Sequence, residues 1–168
     1  MKCRLLLIFF FNFFFLNISL ANNIVFIDLN FIINNSIIGK KVIEKLESIN
    51  KENLDFIKKE QKFLNDERDK IEKTKNILSR EELNKNILNL NNRLLNFNNK
   101  QDLMSKEFNE LKKNEMSSLL NKINPIIEKY MIENNIDLML KKENVYISKT
   151  EYDVSNIIIN LINNNFSN

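Results

Sequence analysis

Carboxylates and cationic side chains are the residues of this chain that could do chemistry. It carries 22 Asp and Glu against 25 Lys and Arg, and no histidine. Two carboxylates can share general-acid and general-base work when their surroundings push their pKa values apart. Here they alternate with lysine and arginine along stretches such as KENLDFIKKEQKFLNDERDKIEK (51–73), the pattern of a solvated helix face. Nothing in their spacing sets a pair aside. Gly39 is the single glycine, so neither a P-loop nor a dinucleotide fingerprint can be built, since both need several glycines for close backbone approach to phosphate. Cys3 is the single cysteine and lies at the extreme N-terminus. Without histidine, and with that cysteine removed by processing, zinc sites and Cys/His nucleophiles are out. The expectation is a non-enzymatic protein with no metal and no cofactor.

The elements that carry these residues begin behind an export signal. Residues 1–21, MKCRLLLIFFFNFFFLNISLA, place Lys2 and Arg4 ahead of an apolar run from Leu5 to Leu16 broken once by Asn12. Ser19 and Ala21 stand at the −3 and −1 positions of a signal-peptidase site, so cleavage is expected between Ala21 and Asn22. The run is shorter than the ~20 apolar residues that span a bilayer; the competing reading is a retained N-terminal anchor. Cleavage at that site leaves 147 of 168 residues and, with Lys2 and Arg4 gone, 23 cations against 22 anions. A net charge of +1 creates no strong field for nucleic acid or an anionic membrane. Asparagine, isoleucine and lysine are abundant, a bias read as AT-rich codon usage because hydrophobic periodicity persists through it.

NIVFIDLN, Asn23 to Asn30, reads as a short buried strand from Ile24 to Ile27, ended by Asp28. Ser36 is the expected N-cap of a helix from about Ile37 to Asn76. Gly39, in its first turn, suits a close approach to another element. Ile43, Ile57, Leu64, Ile71 and Leu78 share one seven-residue series, interrupted at Asn50, with Ile49, Phe56 and Phe63 beside it. The companion series is mixed: Leu46, then Asn53, Glu60, Glu67 and Thr74. In LSREEL, Ser79 and Glu82 form a capping box that starts a second helix at Arg80. The link is short enough to demand an αα-hairpin. The second helix repeats Leu83, Leu90, Phe97, Met104 and Leu111, with Ile87, Leu94, Gln101, Phe108 and Glu115 as companions. That is a sustained coiled-coil pattern. The two helices therefore predict an antiparallel arm about 55 Å long. From Met116 to Met131 the apolar face widens, which suits packing on a body. Pro125 within it should kink or restart the helix. Asn134 and Asn135 can end it.

One strand cannot satisfy its own backbone groups. Its expected partners lie more than a hundred residues on, in IDLMLKKENVYISK (136–149), read as two strands around a Lys-Glu-Asn turn. Ile136, Leu138 and Leu140 alternate in the first; Val145, Tyr146 and Ile147 form the second. A last helix follows, capped by Asp153 or Ser155, with Val154, Ile157, Ile158, Leu161 and Ile162 apolar. The fold class is thus α+β: a long antiparallel helical hairpin inserted between strands of a small β-body, with a closing C-terminal helix. A three-stranded sheet has two open edges and little core, and oligomerisation edge to edge answers both. Ile24, Phe26, Leu138, Leu140, Val145 and Ile147 are the expected oligomer-body residues.

In this order and spacing the chain resembles the OmpH/Skp family of periplasmic chaperones. The resemblance covers the whole chain after the signal. It rests on the strand with Asp28, Ser36-x-x-Gly39-Lys40, the hairpin with its LSREEL tip, Ile136-Asp137-Leu138-Met139-Leu140, Val145-Tyr146, and Asp153-Val154-Ser155 before the closing helix. Asn135 stands where the family usually has glycine, and the chain is nearly neutral where the family is often basic. The resemblance implies a homotrimer with a shared β-barrel, and three arms enclosing a cavity in which unfolded outer-membrane proteins are held without ATP. It implies residence in the periplasm and no stable membrane anchor after cleavage. Within residues 22–168 the body would be 22–45 and 112–168, and the coiled-coil arm 46–111. Phe56, Phe63, Phe97 and Phe108 are the candidate client contacts, although heptad spacing by itself also explains them. An exported coiled-coil spacer would share the arm without needing the terminal strands. A cytosolic prefoldin-like chaperone conflicts with the signal.

Overall fold

The computed structural model describes residues 23–166; the expected signal segment, with the cleavage expected between Ala21 and Asn22, lies outside them. The first strand, β1, is Ile24–Ile27. Its partner, β2, is Leu138–Lys141, and the two run parallel with Ile24 opposite Leu138 and Ile27 opposite Lys141. Between them lie three helices: α1 (Leu29–Asn35), α2 (Ile37–Thr74) and α3 (Arg80–Glu133). The closing helix, α4, is Ser155–Phe166. A parallel pair needs a long crossover connection, and the helical hairpin supplies it.

Helix α1 was not expected. Asp28 does end β1, but it does so by capping a helix: its Oδ1 accepts from Phe31 N–H at 2.9 Å. Leu29, Ile32 and Ile33 then turn toward the body core, with Ile32 fully buried. Ser36 ends α1, donating its N–H to Ile32 O at 2.9 Å, and starts α2, its Oγ accepting from Gly39 N–H at 3.2 Å. Gly39 is there because α1 and α2 touch through it. A Cβ on Gly39 would stand 2.0 Å from the Ile33 carbonyl oxygen.

The arm is α2 beyond its first turns, which pack on the body, and the outer part of α3. Helix α2 has 38 residues and is about 57 Å long. It turns back through residues 75–79 into α3, where Ser79 and Glu82 form the full capping box. Helix α3 runs unbroken for 54 residues through Pro125, so of the kink or restart expected there the restart does not occur. An interior proline removes one helical hydrogen bond and crowds the carbonyl four residues before it; Leu119 and Ile123 before it and Ile126 and Ile127 after it all pack in or on the body core, which offsets that cost. Its end is a Schellman motif: Asn135 adopts φ 50°, Ile136 N–H donates to Met131 O at 2.9 Å, and Asn135 N–H to Ile132 O at 3.3 Å.

The second expected strand is absent. After β2 the chain makes a 3₁₀ turn at Lys142–Asn144, closed by Val145 N–H on Lys142 O at 3.0 Å. Among the described residues Val145 to Ile147 join no strand, and Tyr146 and Ile147 stand in solvent. The free edge of β1 is already engaged: Phe26 forms a bridge with Asp153, and its carbonyl accepts from Val154 N–H at 3.1 Å. The sheet thus has two strands where three were expected. Asp153 Oδ1 accepts from both the N–H and the Oγ of Ser155, opening α4, and Ser155 Oγ accepts from Asp28 N–H at 2.8 Å. Ile158 and Ile162 of α4 are fully buried against Val25, Ile32 and Ile123.

Candidate interaction surfaces

Two surfaces could do work: the flanks of the arm, and an apolar face of the body. In the arm, the α2 seam is the series predicted. Leu46 and Leu64 are buried, and Ile43, Ile57 and Ile71 are half-buried. Asn53, Glu60, Glu67 and Thr74 are half-buried on the same seam. From Asn53 to Thr74 every second seam layer of α2 is therefore polar, which weakens the apolar contact that holds the two helices together. On α3 the seam is Leu83, Leu90, Leu94, Phe97, Met104, Phe108 and Leu111, all half-buried, while Gln101 is exposed.

The four candidate phenylalanines divide. Phe97 and Phe108 sit in the seam. Phe56 and Phe63 lie on its flank, 42% and 39% exposed. Leu54, Leu88, Leu95 and Leu103 add exposed aliphatic surface along the arm. Beside Phe63 is a residue that the sequence reading did not single out. The Arg93 Nε donates to Glu60 Oε1 at 2.8 Å, and the guanidinium lies 3.8 Å from the Phe63 ring centroid. Arg93 is held above its ordinary pKa, chiefly by the hydrogen bond it donates to Glu60. The hairpin arithmetic was the available signal: an antiparallel fold at the tip puts Glu60 within reach of Arg93. Nearer the body, Lys45 and Glu115 make the other ion pair between α2 and α3, at 2.5 Å.

On the body, Ile24, Phe26, Leu140 and Val145 come together round a cavity of about 310 Å³, with Val25, Ser148 and Tyr152 completing its lining. Leu138, opposite Ile24 in the sheet, and Ile147 lie outside it, 46% and 84% exposed. Tyr146 beside them is fully exposed. Exposed apolar side chains gathered on one face of a small body make that face the second candidate surface. Tyr152 was missed because its role depends on the 3₁₀ turn Thr150–Tyr152, which the sequence reading did not assign. A second, polar cavity of about 440 Å³ lies between the α1 start and residues 141–143. There Asp28 accepts from Lys142 Nζ at 3.2 Å and is held below its usual pKa, first by the Phe31 N–H and then by Lys142. Among the described residues no helix is long and apolar enough to cross a membrane, and no acidic cluster is grouped as a metal site.

Comparison with protein families matches residues 23–162 to the family described as Outer membrane protein (OmpH-like). The chain belongs to the OmpH-like family. The match spans both strands, the whole arm and most of the closing helix, so it covers both candidate surfaces. Among solved structures the OmpH-like fold recurs in a Caulobacter crescentus protein assigned as an outer membrane chaperone (OmpH-like). The two share 16% identity over 87% of this chain and 86% of that one, with a TM-score of 0.76. No curated protein matches the chain.

Proposed function

We propose that the protein is an ATP-independent holdase of the periplasm, which binds unfolded outer-membrane β-barrel proteins between the arms of a homotrimer. The observation that carries this reading is the arm itself. Its first helix belongs to an α2 about 57 Å long with a half-polar seam, and the arm's flanks expose Phe56, Phe63 and Leu103 among charges. Such a surface suits many weak contacts with an unfolded chain, and a holdase needs no more: binding lowers the free concentration of the aggregating species by mass action. Membership of the OmpH-like family, and the assignment of its Caulobacter relative, support the same reading. The body face supports assembly. Ile24, Leu138, Tyr146 and Ile147 are exposed on one small body, and the unpaired Val145–Ile147 segment can find in a neighbouring subunit the strand partner it lacks here. The body would then be residues 22–45 and 112–168 and the arm 46–111, with no enzymatic step, no cofactor and no nucleic acid. Native mass spectrometry of the exported protein, with and without a urea-unfolded outer-membrane β-barrel, tests the proposal. The expected spectrum shows a trimer that acquires one client. A monomer, or a trimer that never acquires client, would favour a coiled-coil spacer.

A further inference from the structure

We propose that Arg93 is a cover for Phe63: its guanidinium, anchored on Glu60, lies over the exposed face of the ring in the client-free arm and sets how available Phe63 is to an incoming chain. The inference rests on the holdase reading for the identity of that chain, and on the geometry alone for the cover. Of the two ion pairs that join α2 to α3 among the described residues, Lys45–Glu115 touches no aromatic ring. Arg93–Glu60 does, and it is the one cation stacked on an aromatic among those residues. Phe56, one heptad earlier on the same flank, has similar overall exposure and, among the described residues, no cation over its ring. The cover is built to be displaced. Glu60 sits in the seam with its side chain 22% exposed, whereas the Arg93 side chain is 48% exposed. The anchor is therefore held by the arm and the guanidinium by one bond and one ring face. An aromatic or acidic side chain of an unfolded segment can compete for the same guanidinium, and Phe63 is then left open to apolar contact.

The chain contains no tryptophan, so Phe63→Trp places a single reporter under the cover and keeps the cation–π geometry. Acrylamide quenching of the full exported protein carrying that change is compared with the same protein carrying Arg93→Gln in addition. The cover predicts that quenching rises about two- to five-fold when the guanidinium is removed, the factor set by the strength of one exposed cation–π contact. Glu60→Gln, which keeps the residue shape but loosens the anchor, should raise it by a smaller factor, and circular dichroism should show unchanged helix in both. With phenylalanine restored at position 63, Arg93→Gln should tighten capture of a urea-unfolded β-barrel by a similar factor, and Phe63→Ala should remove that gain. Quenching unchanged by Arg93→Gln would overturn the cover whatever the protein captures. Capture weakened by Arg93→Gln, or a wild type that captures nothing, would overturn its part in client binding, and the second of these would also remove the holdase reading while leaving the quenching result intact.

Discussion

Ser36 is fully buried, and both of its roles serve the backbone: its N–H closes α1 and its Oγ opens α2. That double duty forces the two helices into contact one turn later, at Gly39. Gly39→Ala should therefore cost about 1–3 kcal/mol of stability in urea unfolding, the scale of overpacking, because its Cβ would meet a backbone oxygen, which cannot swing aside as a side chain could. An alanine that leaves the midpoint unchanged would mean that the two helices are not packed there. Asp28 works at the surface and carries a pH signature. Its pKa is lowered in the folded chain from 3.8. A carboxylate depressed on folding contributes stability that is present above its unfolded pKa and is lost as pH falls through the folded value. Its contribution should vanish in the window below about pH 3.8. Asparagine caps helices as well as aspartate does, so Asp28→Asn should keep α1 and flatten the acid limb of the stability profile. Urea unfolding at a series of pH values from 7 downward reads this directly.

At the scale of elements, the arm was legible almost to the residue. Heptad repetition and the Ser79–Glu82 box are local signals, and the hairpin uses little else. Ser36, Asn135 and the pairing of β1 with a segment more than a hundred residues away were legible for the same reason: each answers a backbone requirement visible in the sequence. Helix α1 was legible in principle. Asp28 followed by Leu29, Ile32 and Ile33 is a cap and a helical stripe, but seven residues are too few to outweigh the preceding β-branched run. Val145–Ile147 was misread for a different reason. Its composition suits a strand, but a strand needs a partner, and in this chain Asp153 and Val154 already occupy the β1 edge. The division of the phenylalanines was visible in the heptads: Phe97 and Phe108 stand in the α3 series, while Phe56 and Phe63 lie one residue off the α2 seam. The polar seam residues carry a prediction at this scale. Replacing Asn53 and Glu67 by leucine, with the Glu60–Arg93 pair left intact, should raise the arm's stability by about 1 kcal/mol per site, a fraction of full leucine burial. It should also slow client capture. Hydrogen exchange of arm amides reports the first effect and stopped-flow light scattering the second; a stiffer arm that captures client just as fast would separate arm flexibility from function.

At the scale of the molecule, the core is confined to the body. Leu119, Ile123, Ile158 and Ile162 close it, while the arm contributes only Leu46 and Leu64 as buried residues. Assembly and client binding should therefore be separable. Joining residue 45 to residue 112 through a short linker should leave a trimer by light scattering, whereas a folded monomer would show that the arms do the assembling. The same shortened protein should no longer protect a client. The central claim, that the arms hold unfolded outer-membrane proteins, is tested most directly by diluting such a β-barrel from urea into the exported protein without nucleotide and following turbidity. The account predicts suppression at a near-stoichiometric ratio of trimer to client. With 23 cations against 22 anions after cleavage, that suppression should depend only weakly on salt. Aggregation unchanged at several-fold excess of trimer over client would contradict it.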